Sequence, residues 1–147
     1  MLQTFKATVK NLPDGLQVEG ESRGFRIRID EPENLGGTDK YMTPVEVLLC
    51  SLGACQAIVA KSFASLKKFT FEEMYIELEG DLDPDGFMGK NHNVRKGYQE
   101  IRYTMNFKTD ESQEKTEEFA KFIESRCPVG DTLENGVKLV LTGVKVE

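Results

Sequence analysis

The run from Thr43 to about Lys67, TPVEVLLCSLGACQAIVAKSFASLK, constrains the fold more than any other stretch. Thr43 is a good N-cap, Pro44 suits the first turn, and Glu46 three residues on completes a capping box, so a helix starts here. Its apolar residues fall nearly all round the cylinder instead of along one stripe, and a sheet can cover only one side of such a helix. We therefore expect a second copy of the chain to cover the other side, in an intimate homodimer. Glu46, Cys50, Ser51 and Gln56 interrupt the stretch from Val45 to Ala60, and on that count no segment is expected to span a membrane.

The flanking sequence supplies the sheets. Residues 4–30 alternate as a three-stranded antiparallel meander, with turns at Pro13-Asp14-Gly15 and at Arg23-Gly24. In its last strand Phe25, Ile27 and Ile29 share one side, while Arg26, Arg28 and Asp30 share the other. After the long helix, FEEMYIELEGDL reads as a strand with Met74, Ile76 and Leu78 on an apolar face opposite glutamates. A Gly-rich excursion, DPDGFMGKNHNVRKG, precedes a returning strand from about Tyr98 to Lys108. Asp110 or Ser112 then caps a second helix to about Ser125, and Val137–Val146 reads as a last strand. The order βββ-α-ββ-α-β predicts an α+β fold with antiparallel sheets and a long central helix, in a single domain of 147 residues.

A net charge of −6, with basic residues interspersed among acidic ones, argues against general nucleic-acid binding. The N-terminus, MLQTFKATVK, lacks the pattern of a secretion signal, so a cytoplasmic location is expected. There a purely structural disulfide is disfavoured, and the three cysteines cannot all pair within one chain. Any disulfide is expected to be transient.

Two cysteines carry the chemical interest. Cys55 lies about three turns into the long helix, beyond reach of the helix N-terminus, so a reactive thiolate there needs a cation from elsewhere. Equally, Leu52, Cys55 and Val59 fit a core stripe, and free cysteine is among the most buried residue types. Gly53 beside it costs about 1 kcal/mol relative to alanine mid-helix, which marks close approach by another element. Cys127 precedes Pro128, which turns it out of helical geometry. Cys50, about 140° round the helix from Cys55, reads as packing. His92, the only histidine, reads as a solvated loop residue; Asp81, Asp83 and Asp85 lack the spacing of a calcium loop, and no metal site is expected.

TPVEVLLCSLGACQ, followed far downstream by a helix ending in CPVG, resembles the osmotically inducible protein C (OsmC) and organic hydroperoxide resistance family of thiol peroxidases. The resemblance covers nearly the whole chain, and implies an interlocked homodimer with two central helices packed together. It makes Cys55 the peroxidatic cysteine and Cys127 the resolving one. GFRIRI resembles the strand whose arginine activates the peroxidatic sulfur, by position Arg28, with Arg26 the alternate. Family members commonly carry a carboxylate directly after the helix-starting proline, where this chain has Val45, with Glu46 next. Glu46 thus fits two roles, orienting the arginine or capping the helix.

The resemblance implies a peroxidase that reduces organic or other hydroperoxides through a Cys55 sulfenic acid, resolved by Cys127 and recycled by a dithiol or thioredoxin-type reductant. No metal, haem, flavin or nucleotide cofactor is implied. The rival reading is a non-catalytic dimer that binds a small apolar molecule at the subunit interface and keeps its cysteines for packing.

Overall fold

The computed structural model describes residues 1–147. In chain order the elements are β1 (Thr8–Asn11), β2 (Val18–Ser22), β3 (Phe25–Ile29), a 3-10 turn at Glu33–Leu35, α1 (Pro44–Phe63), β4 (Glu73–Leu82), α2 (Pro84–Met88), β5 (Tyr98–Lys108), α3 (Gln113–Arg126) and α4 (Pro128–Asn135). The architecture is α+β with antiparallel sheets, as the alternation predicts. Two compact units divide it, Met1–Cys50 and Ser51–Glu147, with the boundary inside α1.

In the first unit β1, β2 and β3 form the expected meander. Arg23 and Gly24 both take positive φ, 54° and 89°, the conformation of a two-residue hairpin turn matched to strand twist. That turn fixes the register Ser22↔Phe25, and two-by-two counting then sets Glu19 opposite Arg28 and Glu21 opposite Arg26. The chain next makes a loop held by Asp30, whose backbone N–H donates to the Met42 carbonyl at 3.0 Å. α1 begins as the capping box requires: Thr43 N–H donates to Glu46 Oε1 at 2.9 Å, and Glu46 N–H to Thr43 Oγ1 at 3.2 Å.

In the second unit β4 and β5 pair along their whole length, with a bulge between Asp81 and Leu82. β4 alternates half-buried and exposed residues throughout, with Met74, Ile76 and Leu78 on the inner side. Val59 and Ala60 of α1 pack with Phe69, Phe119 and Ile123, and Phe63, Phe71, Met74, Met105, Phe107 and Phe122 surround them. Phe69 and Phe119 stack at 4.3 Å between ring centroids. Gly53 has the close neighbour its position predicts, since a Cβ there would lie 2.8 Å from Leu78 Cδ1.

Four expectations change. α1 ends as an α-helix at Phe63, and Lys68 in left-handed geometry turns the chain toward Phe69. The Gly-rich excursion holds α2, because Asp83 accepts from Asp85 N–H at 2.9 Å and Pro84 occupies the first turn. α1, with 20 residues and a mean hydropathy of 1.4, is by length and composition apolar enough to cross a membrane, because its interruptions are mostly uncharged. The core helix of a soluble protein meets the same description, and α1 supplies Leu52, Val59 and Ala60 to this chain's buried residues while leaving Ile58 exposed.

The fourth change is the last strand. Residues 136–147 form neither helix nor strand, and Val137, Leu139, Val140, Leu141, Val144 and Val146 are all exposed. A strand exists only where a neighbour takes up its backbone N–H and C=O groups, and the single chain offers this segment none.

Candidate active site

In the second unit Cys55 is half-buried on α1, and Cys127 is buried, 3% exposed, where α3 passes into α4. No disulfide joins them; all three cysteines are free thiols. Cys127 has extended geometry, φ −80° and ψ 108°, because Pro128 forbids it a helical conformation. It therefore ends α3 and caps α4 at once, and its Sγ accepts the Gly130 N–H at 3.3 Å. That bond aims the sulfur inward toward α1. A Cβ at Gly130 would lie 3.4 Å from Cys127 Sγ and 3.7 Å from Leu52 Cδ1, so turn and helix are in contact one helical turn from Cys55.

The Cys55 and Cys127 thiols face each other across this contact. The Cys127 pKa lies above that of an ordinary cysteine, pushed up first by burial and second by the facing Cys55 thiol, while the N–H groups of Gly130 and Val129 pull the other way. Tyr103 lies within electrostatic range of Cys127. Tyr103 on β5 donates from its hydroxyl to Glu124 Oε2 at 2.5 Å, and its own pKa is raised by burial first, then by Glu124, with smaller contributions from Cys127 and Glu134. Sequence reasoning missed Tyr103, Glu124 and Glu134. Glu124 had a readable signal, lying one helical turn before Cys127; Tyr103 had none, because only the packing of β5 brings it there.

One residue beyond Cys55, Gln56 is fully buried with no partner for its Oε1. An unsatisfied buried carbonyl of this kind costs about 1–3 kcal/mol.

The other candidate residues lie in the first unit. Arg28 Nε donates to Glu19 Oε2 at 3.2 Å, and its pKa is raised first by the Tyr41 hydroxyl beside it and then by Glu19. Arg26 lies 3.8 Å from Glu19 and 3.9 Å from Glu21, with a more exposed side chain. The carboxylate on Arg28 is thus Glu19, whereas Glu46 makes the capping-box bonds and raises the Glu31 carboxyl pKa, after burial and ahead of Asp30.

Asp30 holds the loop that carries Tyr41. It is 1% exposed, and its carboxylate accepts from the N–H groups of Glu31 (2.8 Å), Thr38 (3.2 Å) and Lys40 (3.1 Å) and from the Thr38 hydroxyl (2.5 Å). The Thr38 hydroxyl leads these bonds in lowering its pKa to about 2 against the cost of burial. Cys50, expected in packing, is exposed, its Sγ 3.7 Å from Met42 Sδ; the 140° offset from Cys55 carries it off the buried face. His92 is exposed in its loop, Asp81 pairs with Arg102, and Asp83 caps α2.

The sequence pattern of the OsmC-like protein family matches residues 37–142. A hydroperoxide reductase of Mycoplasma pneumoniae is 28% identical over 126 residues, covering 83% of this chain and 81% of its own. A hydroperoxide reductase of Mycoplasma genitalium is 25% identical over 126 residues, covering 83% of this chain and 82% of its own. The crystal structure of an OsmC-like protein from Mycoplasma pneumoniae superposes with a TM-score of 0.80 at 24% identity, over 91% of this chain and 89% of that one.

Proposed function

Because the chain belongs to the OsmC-like protein family, we propose that it is a cysteine-based hydroperoxide reductase in which Cys55 attacks the peroxide and Cys127 resolves the product. The observation that carries this reading is the facing of two free thiols from distant parts of the sequence, one half-exposed and one buried. Packing alone gives two cysteines no reason to meet. The Cys55 thiolate displaces alkoxide from the terminal peroxide oxygen and becomes a sulfenic acid; Cys127 then condenses with it to a disulfide and water. A dithiol or thioredoxin-type reductant restores both thiols.

Arg28 is the cation we assign to the Cys55 thiolate, on the resemblance of its strand and on its orientation by Glu19 and Tyr41. A homodimer in the cytoplasm completes the proposal. The exposed aliphatic side chains of residues 137–146 and the exposed Ile58 of α1 are what a second copy would cover, with the tail pairing as a strand only in the dimer. Light scattering at micromolar concentration should report a dimer, and a stable monomer would contradict this part.

The chemical test is peptide mapping after one equivalent of organic hydroperoxide. It should find a Cys55–Cys127 disulfide within one chain, reversible by dithiothreitol. Cys55→Ser should abolish peroxide consumption and Cys50→Ser should leave it nearly intact. Bridges only between chains, a Cys50–Cys55 bridge, or no oxidation would sink the two-cysteine mechanism, the last outcome favouring a dimer that binds an apolar ligand.

A further inference from the structure

Displacement at a peroxide oxygen leaves an alkoxide, a strong base that needs a proton as the O–O bond breaks. Resting on the peroxidase reading above, we propose that Cys127 is the general acid of the first step as well as the nucleophile of the second. Its thiol proton would pass to the departing alkoxide oxygen, creating the thiolate that resolution requires.

Three features of the turn support this. Cys127 faces Cys55 directly, so a peroxide in contact with the Cys55 sulfur also meets the Cys127 thiol. It is 3% exposed, which keeps bulk water from supplying the proton instead. Burial and the facing sulfur of Cys55 on α1 favour the thiol at rest and outweigh the pull of the Gly130 and Val129 N–H groups. Once the proton has gone, the Gly130 N–H at the start of α4, 3.3 Å from Sγ, stabilises the new thiolate.

The balance closes without another reactant. The Cys55 thiolate forms an S–O bond to the terminal oxygen of ROOH, the O–O bond breaks, and its electron pair leaves on RO. That oxygen takes the Cys127 proton to give ROH, while the terminal oxygen keeps its hydrogen as Cys55–SOH. The Cys127 thiolate then attacks the Cys55 sulfur, the S–S bond forms, and the S–O bond breaks to release hydroxide, which solvent protonates. The peroxide gains two electrons and the two cysteines lose two.

A single-turnover series in a Cys50→Ser background tests this, following Cys55 oxidation in the parent, Cys127→Ala and Cys127→Ser by stopped flow. The probes are tert-butyl hydroperoxide, whose alkoxide needs the proton, and 3-chloroperbenzoic acid, whose carboxylate does not. Cys127→Ala should lose on the order of 100-fold with the first and under about 3-fold with the second, with Cys127→Ser between because a hydroxyl still donates. Alkylation of Cys55 by iodoacetamide, whose iodide leaves without a proton, should change little in folded variants. Equal losses with both peroxides, or none with either, would overturn the general-acid role while leaving the peroxidase reading intact. A parent protein whose Cys55 resists both peroxides would overturn that reading and this role with it.

Discussion

Arg28 and Arg102 occupy equivalent places in their two sheets, yet their surroundings differ in charge. Each sits directly across an antiparallel pair from a glutamate, Arg28 from Glu19 and Arg102 from Glu79. Arg102 meets three carboxylates: Glu79 at 3.0 Å, and Asp81 and Glu100 both at 2.7 Å. Its positive charge is more than cancelled. Arg28 meets one carboxylate, through Nε, and the Tyr41 hydroxyl. A guanidinium held by a single carboxylate edge keeps donors and net charge for a further anion, which a saturated one cannot offer. Sheet position alone therefore does not separate the two arginines; the count of carboxylates around each does, and it is on that count that the proposed role of Arg28 differs from that of Arg102.

The sharpest way to break this comparison is to remove each guanidinium in turn. If Arg28 is the cation of the Cys55 thiolate, as proposed, Arg28→Ala should slow Cys55 oxidation by hydroperoxide roughly 10- to 100-fold, since a cation in contact with an anion is worth about one to two pKa units to it. Arg28→Lys should recover part of the rate, because a point charge replaces a planar fork. If Arg26→Ala slows oxidation and Arg28→Ala does not, the role belongs to Arg26.

Next in size is the loop that presents Tyr41. Asp30→Ala strands three backbone N–H groups and a hydroxyl, and should lower Tm by roughly 5–10 °C while slowing oxidation through loss of the Tyr41 contact. The pH dependence follows from the same carboxylate. Its folded pKa of about 2 lies below the ordinary 3.8, so its stabilisation is present above about pH 4 and is lost as pH falls toward 2. Amide exchange in residues 31–42 should accelerate over that window in the parent. An Asp30→Asn loop with unchanged exchange at pH 6 would show that the carboxylate charge is not what holds it.

How much of this was legible beforehand divides along the same line, local against tertiary. The capping box at Thr43 and Glu46, the hairpin at Arg23-Gly24, the alternation of β4 and the close approach at Gly53 are each written within a few residues, and each could be read. Glu19 as partner of Arg28 was also within reach. A two-residue turn fixes the register, and counting back from Ser22↔Phe25 reaches it, whereas Glu46 was weighed from motif position alone. Tyr103 beside Cys127 was out of reach, because it depends on how β5 packs. So was the state of residues 137–146, whose strand pattern needs a partner that one chain does not contain. Asp30 read as one more polar strand residue; its burial comes from a loop that folds back to donate to it.

The smallest expected effect is the control that gives the comparison its meaning. Arg102→Gln removes a guanidinium with three ion pairs, to Glu79, Asp81 and Glu100, so its loss would look the most costly of any arginine's. Two arguments place it last. Its side chain is 40% exposed and its carboxylates more so, where ion pairs contribute little because water and salt already screen them. Its charge is also spent on its neighbours, so no further anion feels its loss, although Glu79, Asp81 and Glu100 would then repel one another. Tm should therefore fall by no more than about 2 °C, less in high salt, and Cys55 oxidation should change by under about 2-fold. If Arg102→Gln slowed oxidation as much as Arg28→Ala does, the difference in carboxylate count would lose its functional meaning, and the assignment of Arg28 would fall back on strand resemblance alone.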